Sequence, residues 1–304
     1  MANEDYERPN PQRRGLRKGL YLIPSLFTAA NIGLGFFSVM ASLRGFQILG
    51  GADPDMAAAA AHFDSAAITI GWAMLADLVD GRIARMTKTT TEIGIQLDSI
   101  ADVVTFGIAP AVLAYVWGYG ANLNEGSDLH RLAWFLSFMY LLCGAFRLAR
   151  FNVQSSRPHI LAAGTPKVDK KNFVGLPIPV AGGLIAALVH FSPVPLTYFG
   201  TERARIYSGL LMVLVGLLSL MMVSTLRFSS FKTVGTRVRS MRTIILSLSL
   251  GMLIFLYSQY VLLALVLGYI LHGLLSRVAG VFWRRSESTD PEIEPNPVGR
   301  SSGS

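Results

Sequence analysis

The chain is 304 residues long, with 52% apolar side chains, 15% charged ones and a mean hydropathy of +0.45. That balance excludes an ordinary water-soluble domain and points to a membrane protein. The net charge of +8 would suit nucleic acid, but the basic residues stand in short clusters between apolar runs, where lipid headgroups and topology account for them and no nucleic-acid partner is expected. A single cysteine, Cys143, rules out a disulfide framework within the chain.

A helix needs about 20 mainly apolar residues to cross the hydrocarbon, and on that measure the sequence predicts spans at 20–43, 58–81, 95–118, 131–151, 173–194, 206–226, 243–259 and 260–283. The expected fold is therefore all-α, a polytopic membrane helix bundle of about eight transmembrane helices. Ahead of it, residues 1–19 form a basic N-terminal segment, and Leu20 onward reads as a first retained span rather than a cleaved signal. Residues 20–228 form the core, 229–285 hold additional C-terminal helices, and 286–304, rich in Pro, Ser and Glu, read as a disordered tail. The last two spans are parted only by Tyr257, Ser258, Gln259 and Tyr260, so one long or re-entrant helix competes with two. The Ala57–Ala61 run fits a helix start at the outer surface.

Charge tests the count. With eight spans and both termini cytoplasmic, all of the 27 Lys and Arg except Arg44, Arg131, Arg203 and Arg205 fall on the inner side, as the positive-inside rule requires.

Asp77 and Asp80 close the second span, and Asp98 and Asp102 open the third. Separations of three and four residues place each pair on one helix face, and the short Thr-rich turn from Met86 to Ile93 brings both pairs to one depth. Four acids so close repel one another, and Asp77 and Asp80 also lie at the unfavourable end of a helix dipole. An all-oxygen set selects a hard ion, Mg²⁺ or Mn²⁺, of the kind that holds a diphosphate. The alternative, surface acids paired with Arg82, Arg85 and Lys88, explains one or two acids better than four in matched pairs. Gly81 and Gly94 allow close backbone approach, although small residues also serve plain helix packing, as Ala84 could.

The pattern D-x2-D-G-x2-A-R-x8-G-x3-D-x3-D, from Asp77 to Asp102, resembles the signature of the CDP-alcohol phosphotransferases, with every fixed position filled. The resemblance implies a helical membrane fold around a polar cavity, a CDP-alcohol donor and a divalent metal. It casts Asp77, Asp80 and Asp98 as metal ligands, with Gly81, Ala84 and Arg85 lining the nucleotide pocket. Asp102 becomes the general base and a further metal contact. Gly94 is grouped with the CDP-binding residues, and so are Thr28 and Asn31 of the first span, which share one face with Pro24. Interhelical hydrogen bonding explains Thr28 and Asn31 almost as well.

Beyond Asp102, three stretches resemble bacterial phosphatidylserine synthases: Val103 to Ala111, Arg147 to Asn152, and Phe173 to Pro179. Val103 stands where glycerophosphate-using relatives carry Lys. The implied donor is CDP-diacylglycerol and the implied acceptor L-serine, with a homodimer in the bacterial cytoplasmic (inner) membrane and the active site facing the cytoplasm. Arg147 and Arg150 could hold the serine carboxylate or a donor phosphate, or merely anchor the helix at the membrane face. Asn152 reads as a helix cap more readily than as a donor to substrate, and Pro177 and Pro179 as a kink or break in the fifth span, unless neighbouring helices simply tolerate them. The five histidines show no ligand spacing. A choline-using synthase is the nearest rival within the class, and an ion-coupled transporter the rival outside it.

Overall fold

A computed structural model of the chain describes residues 11–87, 92–124, 126–156, 172–224, 227–229 and 241–287, with no side-chain description at 11–25 and in parts of the other helix ends. Helix α1 spans Pro11–Leu49, α2 Met56–Thr87 and α3 Glu92–Asp102. The chain runs straight on through a π-helical segment, Val103–Ile108, into α4 (Ala109–Ala114) and a second π-helical segment, Tyr115–Tyr119. Helix α5 follows at Asp128–Ser156, strand β1 at Asn172–Val174, α6 at Ile178–Phe191 and α7 at Thr201–Val223. Strand β2, Arg227–Ser229, pairs antiparallel with β1, and α8 closes the described chain at Met241–Glu287.

Among the described residues, five helical stretches are long and apolar enough to cross a membrane: Leu26–Leu49, Ile93–Tyr119, Asp128–Val153, Thr201–Val223 and Ser249–Gly273. Helix α6, with 14 residues, is apolar but short. Helix α2 has the length but carries His62, Asp64, Asp77 and Asp80. Large apolar side chains such as Phe36, Trp72, Trp134, Leu210, Leu220 and Phe255 point outward. In water so much exposed apolar surface would drive association; against lipid tails it costs nothing.

Without a hydrophobic drive between helices, close packing of small residues must hold them together. Helix α1 lies along α2, and Ala59, Ala66, Ala67 and Ala73 of α2 are buried with Ser38 and Ser42 of α1. Ser38 Oγ donates to the Ala66 carbonyl at 2.9 Å across this seam. A Cβ on Gly45 would come to 2.8 Å of Phe63, and one on Gly35 would collide with Thr105 Oγ1, so α1 approaches both neighbours at glycine distance. Helix α2 also packs on α6, α6 on α8, and α5 on α7, around Phe63, Ile70, Phe106, Leu113, Tyr140 and Ile185.

Helix starts follow local chemistry. Asp55 Oδ1 accepts from the amides of Ala57 and Ala58 at 3.0 and 2.9 Å, which begins α2 at the alanine run.

The structure sharpens several expectations. Pro177 and Pro179 break the predicted fifth span rather than kink it: they precede and open α6, where a missing N–H costs nothing. Gly175 ahead of them has φ +85, a conformation side chains disfavour, and packs against the Met222 carbonyl. Asn152 is not a cap, because α5 runs on to Ser156. The 241–287 stretch, labelled α8 throughout, is two helices joined at a break at Tyr257 (φ −136, ψ 43), at the polar patch that divided the two predicted spans. The paired β1 and β2 add a three-residue ladder to an otherwise helical fold. The tail beyond 287 and the N-terminal ten residues lie outside the described residues.

Candidate active site

Helix α1 supplies the first anchor. Thr28 is buried and its Oγ1 donates to Asp80 Oδ2 at 2.9 Å, joining α1 to the acidic end of α2. One turn on, the carbonyl of Asn31 accepts from Thr105 Oγ1 at 3.0 Å, joining α1 to the segment just after Asp102. Thr28 and Asn31 therefore bind the two acidic helices together. Thr105 was not singled out by its sequence, since its partner is 74 residues away.

The two acidic pairs meet. Asp98 lies within the electrostatic reach of Asp80, and Asp102 within that of Asp77, Asp98 and the buried Arg147. Asp80 is buried, and Asp77, Asp98 and Asp102 are half-buried. Gly81 and Gly94 flank them, both half-buried, and Arg82 is exposed. Ala84 and Arg85 lie on α2, but their side chains fall outside the described residues.

Asp102 ends α3 at an ordinary helical φ of −60, and the π-helical segment begins with the next residue. Such segments carry one extra residue per turn and are frequent at functional sites. Pro110 belongs to the same distortion: it has no N–H for the Phe106 carbonyl four residues back. The Tyr140 hydroxyl from α5 donates to that carbonyl instead, at 3.0 Å.

Helix α5 brings the basic side of the site. Arg147 is 9% exposed and faces Asp102, with Arg150 one turn further along and half-buried. Asn152 Nδ2 donates to Ser99 Oγ at 2.8 Å, a bond between α5 and the acidic α3. Tyr269 of α8 is the remaining charged-site neighbour of Arg147, a residue that no local signal marks.

The donor chemistry suits a hard cation. Oδ1 of Asp80, Oδ1 of Asp102 and Oδ1 of Asn31 are buried oxygens with no hydrogen-bond partner, a costly state unless a cation or ligand meets them. Among the described residues, no three acidic, imidazole or thiol side chains already converge on one point. These acceptor oxygens come from α1, α2 and α3, with Arg147 of α5 within electrostatic reach.

Partly buried carboxylates at one end of an apolar helix bundle, with a buried arginine within reach, mark a membrane protein with a polar site inside it. The family model for CDP-alcohol phosphatidyltransferases matches residues 21–202, and the chain belongs to that family. It is 31% identical over 237 residues to the CDP-diacylglycerol–serine O-phosphatidyltransferase of Helicobacter pylori, covering 76% of this chain and 81% of the relative. The enzyme of the same name from Bacillus subtilis is 31% identical over 172 residues, 56% of this chain and 78% of the relative. Archaetidylserine synthase of Methanothermobacter thermautotrophicus is 29% identical over 215 residues, 70% and 72% of the two chains.

Proposed function

We propose that the protein transfers the phosphatidyl group of CDP-diacylglycerol to the hydroxyl of L-serine, giving phosphatidylserine and CMP. The observation that carries this is the meeting of Asp102 with Arg147, a proton acceptor beside a buried guanidinium. Serine offers a hydroxyl for the first and a carboxylate for the second. Relatives named for serine transfer support the same acceptor.

Asp77, Asp80, Asp98 and Asp102 would hold Mg²⁺ or Mn²⁺, which when bound neutralises the diphosphate and the departing CMP. Gly81, Ala84, Arg85 and Gly94 would line the cytidine diphosphate, with Thr28 keeping Asp80 in place. Asp102 takes the proton of the serine hydroxyl, whose oxygen attacks the phosphorus bearing diacylglycerol; CMP leaves from the opposite side. Positioning and charge compensation do most of the work in such transfers. Asn31 and Thr105 hold α1 against the base, and Arg147, with Arg150 behind it, orients the acceptor.

In this reading the catalytic core covers residues 20–228, α8 is an addition to it, and both termini face the cytoplasm of a bacterial inner membrane in a homodimer of multi-pass chains. The basic clusters support that orientation.

The test is CMP release from CDP-diacylglycerol in mixed micelles, with serine, choline, glycerol 3-phosphate or inositol as acceptor. Serine should support turnover and the others little. Preference for choline would replace serine in the assignment, and turnover with none of them would end it.

A further inference from the structure

Two hydrogen bonds bracket the place where the acidic and basic sides of the site meet. At one end Asn152 Nδ2 of α5 donates to Ser99 Oγ of α3 at 2.8 Å; at the other the Tyr140 hydroxyl of α5 donates to the Phe106 carbonyl at 3.0 Å. Residue numbers rise along one element as they fall along the other, so the two run antiparallel. Asp102 lies between Ser99 and Phe106, and Arg147 lies between Tyr140 and Asn152. The Tyr140 end is also closely packed, since a Cβ on Gly107 would come to 3.0 Å of Leu141. The height of Arg147 against Asp102 is therefore set by two fixed points, one on each side.

The Ser99 end has less support. Tyr140 and Phe106 sit in the core, whereas Ser99 and Asn152 are half-buried. Helix α3 rests chiefly on α1, and α5 chiefly on α7, so these two helix ends belong to different pairs. The bond between them has a fixed direction. Ser99 Oγ gives its single proton to the Ile95 carbonyl of its own helix at 3.0 Å, so toward α5 it can only accept. The Asn152 amide supplies that donor, and a carboxylate in its place could not. Helix α3 is held to α1 on its other side, where Thr105 donates to the Asn31 carbonyl. Loss of the Ser99 bond therefore frees the end of α5, with Arg147 and Arg150, and leaves the carboxylates where they are.

We propose that Asn152 is a positioning residue for the acceptor: through Ser99 it holds the end of α5 so that Arg147 stands against Asp102. The inference rests on the serine-transfer reading above and adds to it a residue that acts through another side chain rather than on substrate. With the bond made, an amino acid held by its carboxylate at Arg147 presents its hydroxyl toward Asp102. With the bond broken, donor binding on α1, α2 and α3 persists while the acceptor loses its alignment.

The experiment measures CMP release by the full chain in mixed micelles, varying serine and CDP-diacylglycerol in turn. Ser99→Ala and Asn152→Ala should each raise the serine KM about fivefold, the effect of one ordinary hydrogen bond, and leave the KM for CDP-diacylglycerol unchanged. The double variant should be no worse than either single one. Ser99→Thr, which keeps the hydroxyl, should keep the wild-type KM. Asn152→Asp, which sets an acceptor against an acceptor, should do at least as much harm as Asn152→Ala. Ser137→Ala breaks a bond to Tyr119 on the same seam, about 15 Å from Arg147, and should lower the melting temperature without moving the serine KM. An unchanged serine KM in Ser99→Ala overturns the inference, as do additive effects of the two substitutions or an equal rise in both KM values. If Asn152→Ala does not survive extraction, Ser99→Ala against Ser99→Thr decides. A wild-type chain that releases no CMP with serine overturns the acceptor assignment itself.

Discussion

The Tyr140 hydroxyl donates to the carbonyl of Phe106, the acceptor that Pro110 cannot serve. Both residues are buried, so the bond has no competition from water. Tyr140→Phe removes a buried hydrogen bond to that carbonyl and should cost about 1 kcal/mol. Pro110→Ala returns an N–H to the same place, and in that background Tyr140→Phe should cost less. A double-mutant cycle of thermal unfolding in detergent measures the difference; additive costs would mean the two do not share Phe106.

Asp102→Asn should abolish CMP release while CDP-diacylglycerol still binds, because the amide keeps the shape and loses the proton acceptor. Turnover near the wild-type rate in that variant removes Asp102 from the base role. Binding is read by displacement of a fluorescent donor analogue.

Thr28→Val removes the donor to Asp80 and leaves both of its oxygens without a protein partner. The metal concentration for half-maximal CMP release should shift by about tenfold, the effect of a lost charge-assisted hydrogen bond. Thr28→Ser should keep the wild-type dependence. Identical metal titrations for all three chains would show that Thr28 serves packing alone.

Chelation should stop CMP release, and Mg²⁺ or Mn²⁺ should restore it where Ca²⁺, with its longer bonds and looser geometry, does not. Activity that survives exhaustive chelation would count against the carboxylate cluster as a metal site.

Gly175→Ala forces a side chain onto a φ of +85 and toward the Met222 carbonyl. The expected loss is about 1–3 kcal/mol of stability, seen as a lower melting temperature with donor and acceptor KM values unchanged in the surviving fold.

The acidic cluster was legible because its members lie within 26 residues on two consecutive helices, so spacing alone brings Asp77, Asp80, Asp98 and Asp102 near one another. Thr28 and Asn31 were legible as a polar face, but not the partners they take. What stayed hidden depends on residues distant in sequence. His190 carries no ligand spacing because its partners, Asp64 and Ser258, stand 126 and 68 positions away. Asn152 looks like a cap until Ser99 is seen opposite it. The π-helical turn after Asp102 is met by Thr105 bonding to Asn31 and Tyr140 bonding to Phe106, contacts from distant parts of the chain, and no local propensity announces it. Hydropathy fixes where a span can lie but not its ends: α6 starts only where Pro177 lets it.

The small pairing of Phe173 with Phe228 has a mechanical meaning. It joins the foot of α6, which rests mainly on α2 and α8, to the foot of α7, which rests mainly on α5. Asp77 and Asp80 hang from one of these groups and Arg147 from the other, so the strap ties two sides of the site together at this rim. Parting the two groups there means unzipping the ladder or bowing a helix.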